Sequence, residues 1–152
     1  MGNMPLEGIR IVDLGQVVAV PYAAQILGWL GAEVILIESE ERLTTRIIPP
    51  FLDGIPGANR SGGFNTLNNN KISCAINIAC PEGVELLLRI IEMSDVVMEN
   101  YTTGAMDKLG LGYKQVQYVN PEIVYLSLTA FGLTGPFREV IGFHSMVNLF
   151  SG

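Results

Sequence analysis

The sequence is poor in the residues that most metal centres and redox sites need. It contains a single histidine, His144, which excludes a two-histidine metal site within one chain. It contains two cysteines, Cys74 and Cys80, and the five residues between them fit neither a CxxC redox pair nor a zinc knuckle. Carboxylate clusters with metal-ligand spacing are absent as well. The sequence therefore predicts no metal site, and we expect the two cysteines to be buried side chains rather than a disulfide or a nucleophile.

Basic residues are also scarce. Nine Lys and Arg residues oppose fifteen Asp and Glu residues, which gives a net charge of −6 at pH 7. Broad nucleic-acid binding depends on clustered Lys and Arg and is therefore excluded. A small polyanionic ligand stays compatible with this charge if the few cations converge at one place.

Long apolar runs are missing too. Runs such as residues 17–20 and 35–37 fall far short of the roughly 18 consecutive apolar positions that a bilayer span requires. The amino terminus has no basic stretch followed by an apolar stretch, so we expect no secretory signal. The sequence predicts a soluble, cytoplasmic protein without membrane contact.

The chain does contain enough apolar material for one globular core, since 49% of its 152 residues are hydrophobic. Strand-type segments alternate with helix-type segments, and no hairpin signal separates them. This alternation predicts an α/β fold, a Rossmann-like open and mainly parallel sheet with helices on both faces. The predicted strands are residues 10–14, 33–37, 72–78, 96–98 and 123–128, and the predicted helices are residues 22–30, a segment that begins at Pro81, and residues 113–119.

Residues 39–66 interrupt this pattern with paired prolines and several glycines. A loop of this length exceeds the roughly 12–15 residues that are usual within compact domains. The segment is therefore predicted to be a long loop, of the kind that is usually functional or mobile.

The turn after the first strand argues against a nicotinamide cofactor. Glu38 stands at the end of the second strand, where an acidic residue holds the ribose of NAD in Rossmann folds. Residues 14–21, Leu-Gly-Gln-Val-Val-Ala-Val-Pro, place Val17 and Val20 where glycines would let a pyrophosphate approach the backbone. We therefore predict no NAD binding and interpret Glu38 as a solvated carboxylate. A P-loop, a GxSxG elbow and an HExxH motif are also absent from the sequence.

The most informative stretch is residues 94–113, in which a short apolar strand runs into a polar loop and then a helix start. Ligands bind at such junctions in open parallel sheets, because strand carboxyl ends and helix amino ends converge there. Eight segments that span nearly the whole chain resemble, in order, segments of the family III CoA-transferases, the carnitine dehydratase/bile-acid-inducible protein family. These segments are residues 5–14, 30–38, 68–71, 81–83, 99–100, 109–113, 120–121 and 132–136.

The resemblance implies a reaction and a set of ligand contacts. The family transfers CoA from an acyl-CoA donor to a carboxylic acid, and an aspartate attacks the thioester to give a mixed anhydride and then an aspartyl-CoA thioester. By resemblance, residues 1–152 are the amino-terminal part of the large Rossmann-like domain of such an enzyme. The implied CoA contacts are Val17, Val18, Ser39, Asn70, Lys71, Asn100, Tyr101 and Lys108.

Lys71 and Lys108 are the lysines expected near the predicted crevice, where each would act as a point charge toward the CoA phosphates. Without the surrounding motif, both would be interpreted as solvated surface lysines.

The chain also departs from the family pattern. Residues 101–104 read Tyr-Thr-Thr-Gly in place of the usual Phe-Arg-Pro-Gly, and Ser39 and Lys108 stand where some or most members have arginine. Each charge-assisted hydrogen bond lost forgoes roughly 1.5–3 kcal/mol, so we expect weakened CoA binding.

By the same resemblance, the family's nucleophilic aspartate lies beyond position 152. We therefore expect this chain to carry the CoA-binding part without the nucleophile and to be inactive alone. His144 takes the acidic position of the family's Gly-Tyr-Asp segment, one place from the base in the Gly-His-Asp segment of the racemase branch. An imidazole with a pKa of about 6.5 is a competent proton shuttle, so a catalytic role for His144 and no catalytic role both stay open.

The resemblance also implies partners, since family protomers interlock like rings. We expect a homodimer, or a heteromer with the rest of a CoA-transferase, that acts on acyl-CoA and a carboxylic acid. Two alternatives remain: a non-catalytic partner subunit of a two-subunit CoA-transferase, and an enzyme of the 2-methylacyl-CoA racemase type.

Overall fold

The computed structural model describes residues 4–39 and 44–152, apart from the side chain of His144. Five strands form one sheet in the order β3-β2-β1-β4-β5, and every neighbouring pair is parallel. The strands are β1 (Arg10–Asp13), β2 (Glu33–Glu38), β3 (Ile72–Ala75), β4 (Val96–Glu99) and β5 (Val124–Ser127). The predicted α/β class and its open parallel sheet are confirmed.

In the part of the chain that the structure describes, six α-helices connect and cover these strands. They are α1 (Ala19–Trp29), α2 (Gly62–Leu67), α3 (Pro81–Glu92), α4 (Ala105–Lys108), α5 (Tyr113–Val119) and α6 (His144–Ser151), and a short 3-10 turn spans Leu52–Gly54. The structure therefore adds three helices, α2, α4 and α6, to those predicted from the sequence. Within the described ranges, no helix is both long and apolar enough to cross a bilayer.

The core lies on both faces of the sheet because successive strand residues point to opposite sides. Ile11 of β1 packs with Val20 and Ala24 of α1 on one face. Val12 packs on the other face with a second set of buried side chains from α3, α4 and α5, which are Leu87, Ile91, Met106 and Val116. Each large aliphatic side chain buried in this way contributes roughly 1.5–3 kcal/mol. Helices therefore cover both faces of the sheet, as predicted.

The α3 helix shows how the local sequence sets an element. Pro81 occupies the first turn, where its missing N–H costs nothing, and Glu82 lies in the same turn near the positive end of the helix dipole. Leu87 and Ile91, four residues apart, are fully buried on one side. Gly83 is required by close packing, because a Cβ there would overlap the carbonyl of Asn77.

The predicted long loop, residues 39–66, is more ordered than expected, although residues 40–43 lie outside the described part of the chain. Ser61 is fully buried and caps α2 by accepting a hydrogen bond from the N–H of Phe64 at 3.1 Å. Its hydroxyl lies 2.5 Å from the carbonyl oxygen of Ile48, to which it donates. The expectation of a loop without regular structure is therefore wrong at its carboxyl end, where α2 begins at Gly62.

Candidate functional site

The order of the strands leaves a crevice at the carboxyl edge of the sheet. From β1 the chain moves to β2 on one side, whereas β4 lies on the other side of β1. The loops that follow β1 and β4 therefore diverge, and ligands of open α/β sheets bind at such a point. We call the part of this edge that the two loops form, residues 14–18 and 100–104, the switch-point crevice.

Both central strands end in a carboxylate that shapes the following loop. Asp13 Oδ1 accepts a hydrogen bond from the N–H of Gly15 at 2.7 Å, and Glu99 Oε2 accepts one from the N–H of Tyr101 at 2.7 Å. Ser127, opposite Glu99 on β5, donates to the other oxygen of Glu99. The two carboxylates, which are 0% and 4% exposed, thus act inside the fold as caps for backbone N–H groups.

Glu99 is a buried acid beside the crevice that sequence reasoning did not single out. Burial raises its pKa above the ordinary 4.5, and the nearby charge of Asp107 adds to this effect. Hydrogen bonds from Ser127 and from the Tyr101 N–H oppose the rise without cancelling it. Its place at the end of a strand beside the crevice was the available signal in the sequence.

Asn100 joins the two loops across the crevice. Its Oδ1 accepts a hydrogen bond from the N–H of Gln16 at 2.6 Å, and its Nδ2 donates to the carbonyl of Gln16 at 2.8 Å. The side-chain amide of Gln16 in turn donates to the hydroxyl of Tyr101 at 3.3 Å. These reciprocal bonds hold the backbone of the β1 loop against the β4 loop, and Gln16 is a residue of this junction that the sequence reasoning missed.

The β1 loop enters α1 through a strained residue. Val17 has a φ of +62°, in the left-handed region that β-branched residues rarely adopt. Such a conformation costs about 1–3 kcal/mol and persists only where the surroundings fix it. Val18 follows with its side chain half-exposed, and the first turn of α1 contains no acidic residue and no side-chain cap. The positive end of the helix dipole is therefore not neutralised by an acidic side chain of its own helix.

Ser39 lies on the same edge of the sheet. A small hollow joins it to the loops after β1 and β4, and the lining residues are Gln16, Ile37, Glu38, Ser39, Ile76, Ile78 and Tyr101. Of the eight CoA contacts predicted from the sequence, the structure therefore brings together Val17, Val18, Ser39, Asn100 and Tyr101 around the crevice.

The interpretation of Glu38 as a solvated carboxylate is wrong. Arg46 binds it with two hydrogen bonds of 2.6 Å each, and both side chains are only 13% exposed. Ser73 donates a third bond to Glu38 at 2.6 Å. Burial raises the pKa of Glu38, but the bonds from Arg46 and Ser73 and the charge of Arg46 outweigh this and hold it below 4.5. Glu38 thus anchors the segment after β2, with its oxygens occupied by protein donors.

Lys71 does not present a free ammonium group to the crevice. Its Nζ donates to Asp13 Oδ2 at 2.7 Å, to the carbonyl of Pro21 at 2.8 Å and to Asn68 Oδ1 at 2.8 Å. The Lys71 side chain is 1% exposed, and three acceptors match the three donors of an ammonium group. The sequence suggested either a phosphate contact or a solvated surface lysine. In this structure Lys71 is instead buried and fully hydrogen-bonded within the fold.

Burial lowers the pKa of Lys71 below its ordinary 10.5, and the charge of Asp13 and its hydrogen bond offset part of that effect.

Asn70 lies away from the other predicted contacts. It precedes the amino end of β3, whereas the crevice forms at the carboxyl ends of the strands. Its side-chain amide donates to the carbonyl of Gly28 at 2.9 Å, near the end of α1. At 1.5 Å per residue, Gly28 is about 13 Å along the helix axis from Ala19. Asn70 was implied as a contact by the resemblance to the family and not by its position relative to a strand end.

Two exposed cations lie on the segments that follow β4 and β5. Lys108 is the last residue of α4, and its side chain is exposed. Arg138, which sequence reasoning missed, lies in the loop after β5 and forms an exposed ion pair of 3.3 Å with Glu139. Thr103 donates to the carbonyl of Arg138 at 2.7 Å, so this loop packs against the loop that leads into α4.

His144 begins α6, and its side chain lies outside the described part of the structure, so its predicted catalytic role stays a prediction. Cys74 and Cys80 are free thiols and partly buried. Among the described residues, no group of three or more His, Cys, Asp or Glu side chains is placed to hold a metal ion.

Residues 6–152 match the family described as CoA-transferase family III. A succinate–glutarate CoA-transferase of Agrobacterium fabrum is 37% identical over 151 residues, which cover 97% of this chain and 38% of that protein. The alpha subunit of a succinyl-CoA–L-malate CoA-transferase of Chloroflexus aurantiacus is 36% identical over 150 residues, 99% of this chain and 35% of that protein. A formyl-CoA:oxalate CoA-transferase of Streptomyces coelicolor is 37% identical over 147 residues, 97% of this chain and 35% of that protein.

A solved structure agrees with these sequence relatives. The crystal structure of a CAIB/BAIF family protein from Brucella suis superposes with a TM-score of 0.89 and 36% identity, covering 98% of this chain and 39% of that one. This chain thus spans between 35% and 39% of the length of these four relatives. Because the family match covers nearly every residue and the fold superposes on a solved relative of 36% identity, the chain belongs to CoA-transferase family III.

Proposed function

We propose that the switch-point crevice binds the CoA part of an acyl-CoA and that the chain supplies this site to a CoA-transferase. The observation that carries the proposal is the pair of hydrogen bonds between Asn100 and Gln16. They fix the backbone that leads into Val17 and Val18 at the amino end of α1. An anionic ligand placed there meets a helix end that favours negative charge.

The charges around the crevice suit a ligand that carries phosphates. The amino end of α1 contributes about 0.3–1 kcal/mol toward an anion, and a charge-assisted hydrogen bond from a cation contributes about 1.5–3 kcal/mol. Lys108 and Arg138 are the exposed cations that we assign to this role. With Lys71 bound to Asp13, these two side chains carry most of the charge-based affinity in this proposal.

The proposed chemistry is acyl transfer by covalent catalysis. An aspartate that is not among residues 1–152 attacks the acyl-CoA thioester, and its carboxylate forms a mixed anhydride as the CoA thiolate leaves. The thiolate then attacks the aspartyl carbonyl, releases the carboxylic acid and gives aspartyl-CoA. The acceptor carboxylate reverses these steps. In this scheme the residues of this chain bind and orient CoA, which converts an encounter in solution into a positioned reaction.

The relatives named above act, by their names, on succinate, glutarate, L-malate and oxalate, and each of these is a small dicarboxylic acid. We propose an acceptor of the same chemical class for the complete enzyme to which this chain contributes.

A second candidate function is a partner subunit that keeps the fold and a weakened CoA site. Burial of the Lys71 ammonium favours it, because one of the two lysines predicted to contact phosphates is used inside the fold. The relative from Chloroflexus aurantiacus is itself named an alpha subunit. Both candidates place the chain in a homodimer or in a heteromer with a second CoA-transferase chain.

Isothermal titration calorimetry of the purified chain with CoA tests the CoA site. We expect binding, and we expect Lys108→Ala to weaken it by about tenfold, since one charge-assisted contact is lost. Lys114→Ala is the matched control, because Lys114 is exposed on α5 and lines a groove on the outer side of α3 and α5. Absence of CoA binding, or an equal loss in both variants, would overturn the assignment.

Transfer assays separate the two candidates. The chain alone, incubated with succinyl-CoA and glutarate, is expected to give no glutaryl-CoA. Turnover by the chain alone would refute the placement of the nucleophile outside residues 1–152.

Co-expression with a full-length family member whose nucleophilic aspartate is replaced by alanine tests the partner role. Activity in this pair would contradict both proposals, since neither chain would then carry that aspartate. The partner-subunit role is supported if the pair formed with an unmodified second chain is more active than that second chain alone.

A further inference from the structure

We propose that Asp13 and Lys71 are positioning residues, whose buried ion pair fixes residues 15–18 in the conformation that binds CoA without either side chain touching the ligand. The inference rests on the CoA site proposed above, and it names the residues that hold this site in its conformation. It replaces the role of phosphate contact that the sequence pattern suggested for Lys71.

The segment that needs support is the backbone around Val17. A β-branched residue at a φ of +62° relaxes to an ordinary conformation unless neighbouring atoms prevent it. Val18, the next residue, has a φ of −128° and a ψ of −59°, outside the regular helical and extended regions, and it begins the entry into α1. The conformation of this loop is therefore set by contacts on either side rather than by local preference.

One anchor is the Asp13–Lys71 pair. Asp13 holds the N–H of Gly15 at 2.7 Å through Oδ1 and the Lys71 ammonium at 2.7 Å through Oδ2. The same ammonium holds the carbonyl of Pro21 in the first turn of α1 at 2.8 Å. One ion pair thus ties down the residue before the strained loop and the helix turn after it.

The other anchor is Asn100, which holds both backbone groups of Gln16 from the side of β4. Val17 lies between the two anchors, with Gly15 and Gln16 fixed before it and Pro21 fixed after it. The packing is close, since a Cβ on Gly15 would lie 2.5 Å from Val20 Cγ1 and 2.7 Å from Asp13 Oδ1. Loss of the ion pair frees one end of this segment while the other stays held.

Burial excludes a direct role for the pair in this structure. The side chains of Lys71 and Asp13 are 1% and 0% exposed, and Asn68 Oδ1 occupies the remaining ammonium donor at 2.8 Å. A phosphate would have to displace one of three existing acceptors to reach Lys71. Support of the loop explains the ion pair without such a displacement.

The test is a double variant, Asp13→Asn with Lys71→Met, because removal of Lys71 alone strands a buried carboxylate and can unfold the protein. The amide oxygen introduced at position 13 still accepts the Gly15 N–H, so the main loss is the tie to Pro21. The single variant Asn68→Ala, which removes the third acceptor of the ammonium and keeps its bonds to Asp13 and Pro21, is the milder second variant. Val116→Ala, in the core between the sheet and α5, is the control for lost stability.

Three measurements decide the matter: CoA affinity by calorimetry at several ionic strengths, unfolding in urea, and the amide ¹H–¹⁵N NMR signals of Gly15 and Val18. We expect the double variant to bind CoA about tenfold more weakly, because the fraction of loops in the binding conformation falls as strain is released. We also expect both amide signals to move and the ionic-strength dependence of affinity to match the wild type. Asn68→Ala should show a smaller loss, and Val116→Ala should bind normally.

Several outcomes would overturn the inference. Unchanged affinity of the folded double variant would show that the pair does not position the site. An altered ionic-strength dependence would mean that Lys71 contacts a phosphate. An equal affinity loss in Val116→Ala would assign the effect to general stability. If the wild type binds no CoA, the proposed function fails separately. The NMR signal of Val18, which has no bond to either replaced side chain, then decides: an unmoved signal refutes the positioning role, and a moved signal supports it.

Discussion

Replacement of Arg46 by alanine provides a strict test of the packing around the end of β2. Arg46 holds both oxygens of Glu38 at 2.6 Å, and its guanidinium carbon lies 3.6 Å from the centre of the Phe64 ring. Its remaining nitrogen donates to the carbonyl of Ala58 at 3.1 Å and to Asn59 Oδ1 at 2.8 Å. One side chain thus connects the sheet to two parts of the segment before β3.

The expected cost follows from burial. Breaking a buried ion pair by removing one partner costs about 3–5 kcal/mol. The 13% exposure of both side chains lets some water reach the carboxylate, so we expect the lower end of this range. With a urea m-value of about 2 kcal/mol/M for a protein of this size, the unfolding midpoint should fall by about 1.5 M.

Arg89→Ala is the matched control, because Arg89 and Glu85 also form an ion pair but are 67% and 68% exposed. Exposed pairs of this spacing contribute about 0.3–0.5 kcal/mol. Urea unfolding followed by circular dichroism measures both variants. Equal midpoint shifts for Arg46→Ala and Arg89→Ala would refute the assignment of Arg46 as an anchor.

The dependence of stability on pH gives a second readout. In the folded wild type the pKa of Glu38 lies below 4.5, so the unfolded state binds its proton more tightly. The stability that Glu38 contributes is therefore complete above pH 4.5 and is lost as pH falls through the lowered folded pKa. In Arg46→Ala, burial dominates and raises the pKa of Glu38 in the folded state. The contribution of Glu38 to stability is then lost as pH rises rather than as pH falls. An unchanged profile in Arg46→Ala would contradict this account.

Three further predictions concern the loops at the crevice. Because the pKa of Glu99 is raised in the folded state, the Glu99 side chain contributes its full stability below pH 4.5. This contribution is lost as pH rises through the raised pKa. Glu99→Gln should therefore gain stability over wild type as pH increases above 4.5 in urea unfolding, and a constant difference would contradict the raised pKa. Gly15→Ala should cost about 1–3 kcal/mol, since the added carbon lies 2.5 Å from Val20 Cγ1, and an unchanged melting temperature would argue against that close packing. Val17→Gly should raise the unfolding free energy by up to about 1 kcal/mol, because relief of strain exceeds the entropy cost of glycine; a clear loss would show that Val17 is not strained.

The fold was predictable because its main signals are local. Within the strand predicted at residues 33–37, residues 34–37 are a continuous aliphatic run, which is typical of a buried parallel strand, and the structure has β2 at Glu33–Glu38. The helix predicted for residues 113–119 is α5 with the same bounds. The helices that sequence reasoning missed are short or irregular in pattern: α4 has four residues, and α2 begins with two glycines, which disfavour a helix.

The location of a site residue was predictable from the sequence only where the residue directly follows a strand. Val17, Val18, Ser39, Asn100 and Tyr101 follow parallel strands and must lie at one edge of the sheet. The partners of Glu38 and Lys71 depend instead on how distant segments fold back. Arg46 approaches Glu38 from the segment before α2, and Lys71 extends its long side chain from the start of β3 to the first turn of α1. Hydrophobic period and motif spacing carry no information about such contacts.

Ion pairing beneath the crevice also affects how quickly an anion can reach it. Asp13 is matched by Lys71 and Glu38 by Arg46, so these two carboxylates add little net field at contact distance. The net charge of −6 is then felt mainly as a long-range repulsion. Because dissolved salt screens distant charges more than buried pairs, moderate ionic strength should weaken this repulsion and speed the arrival of CoA.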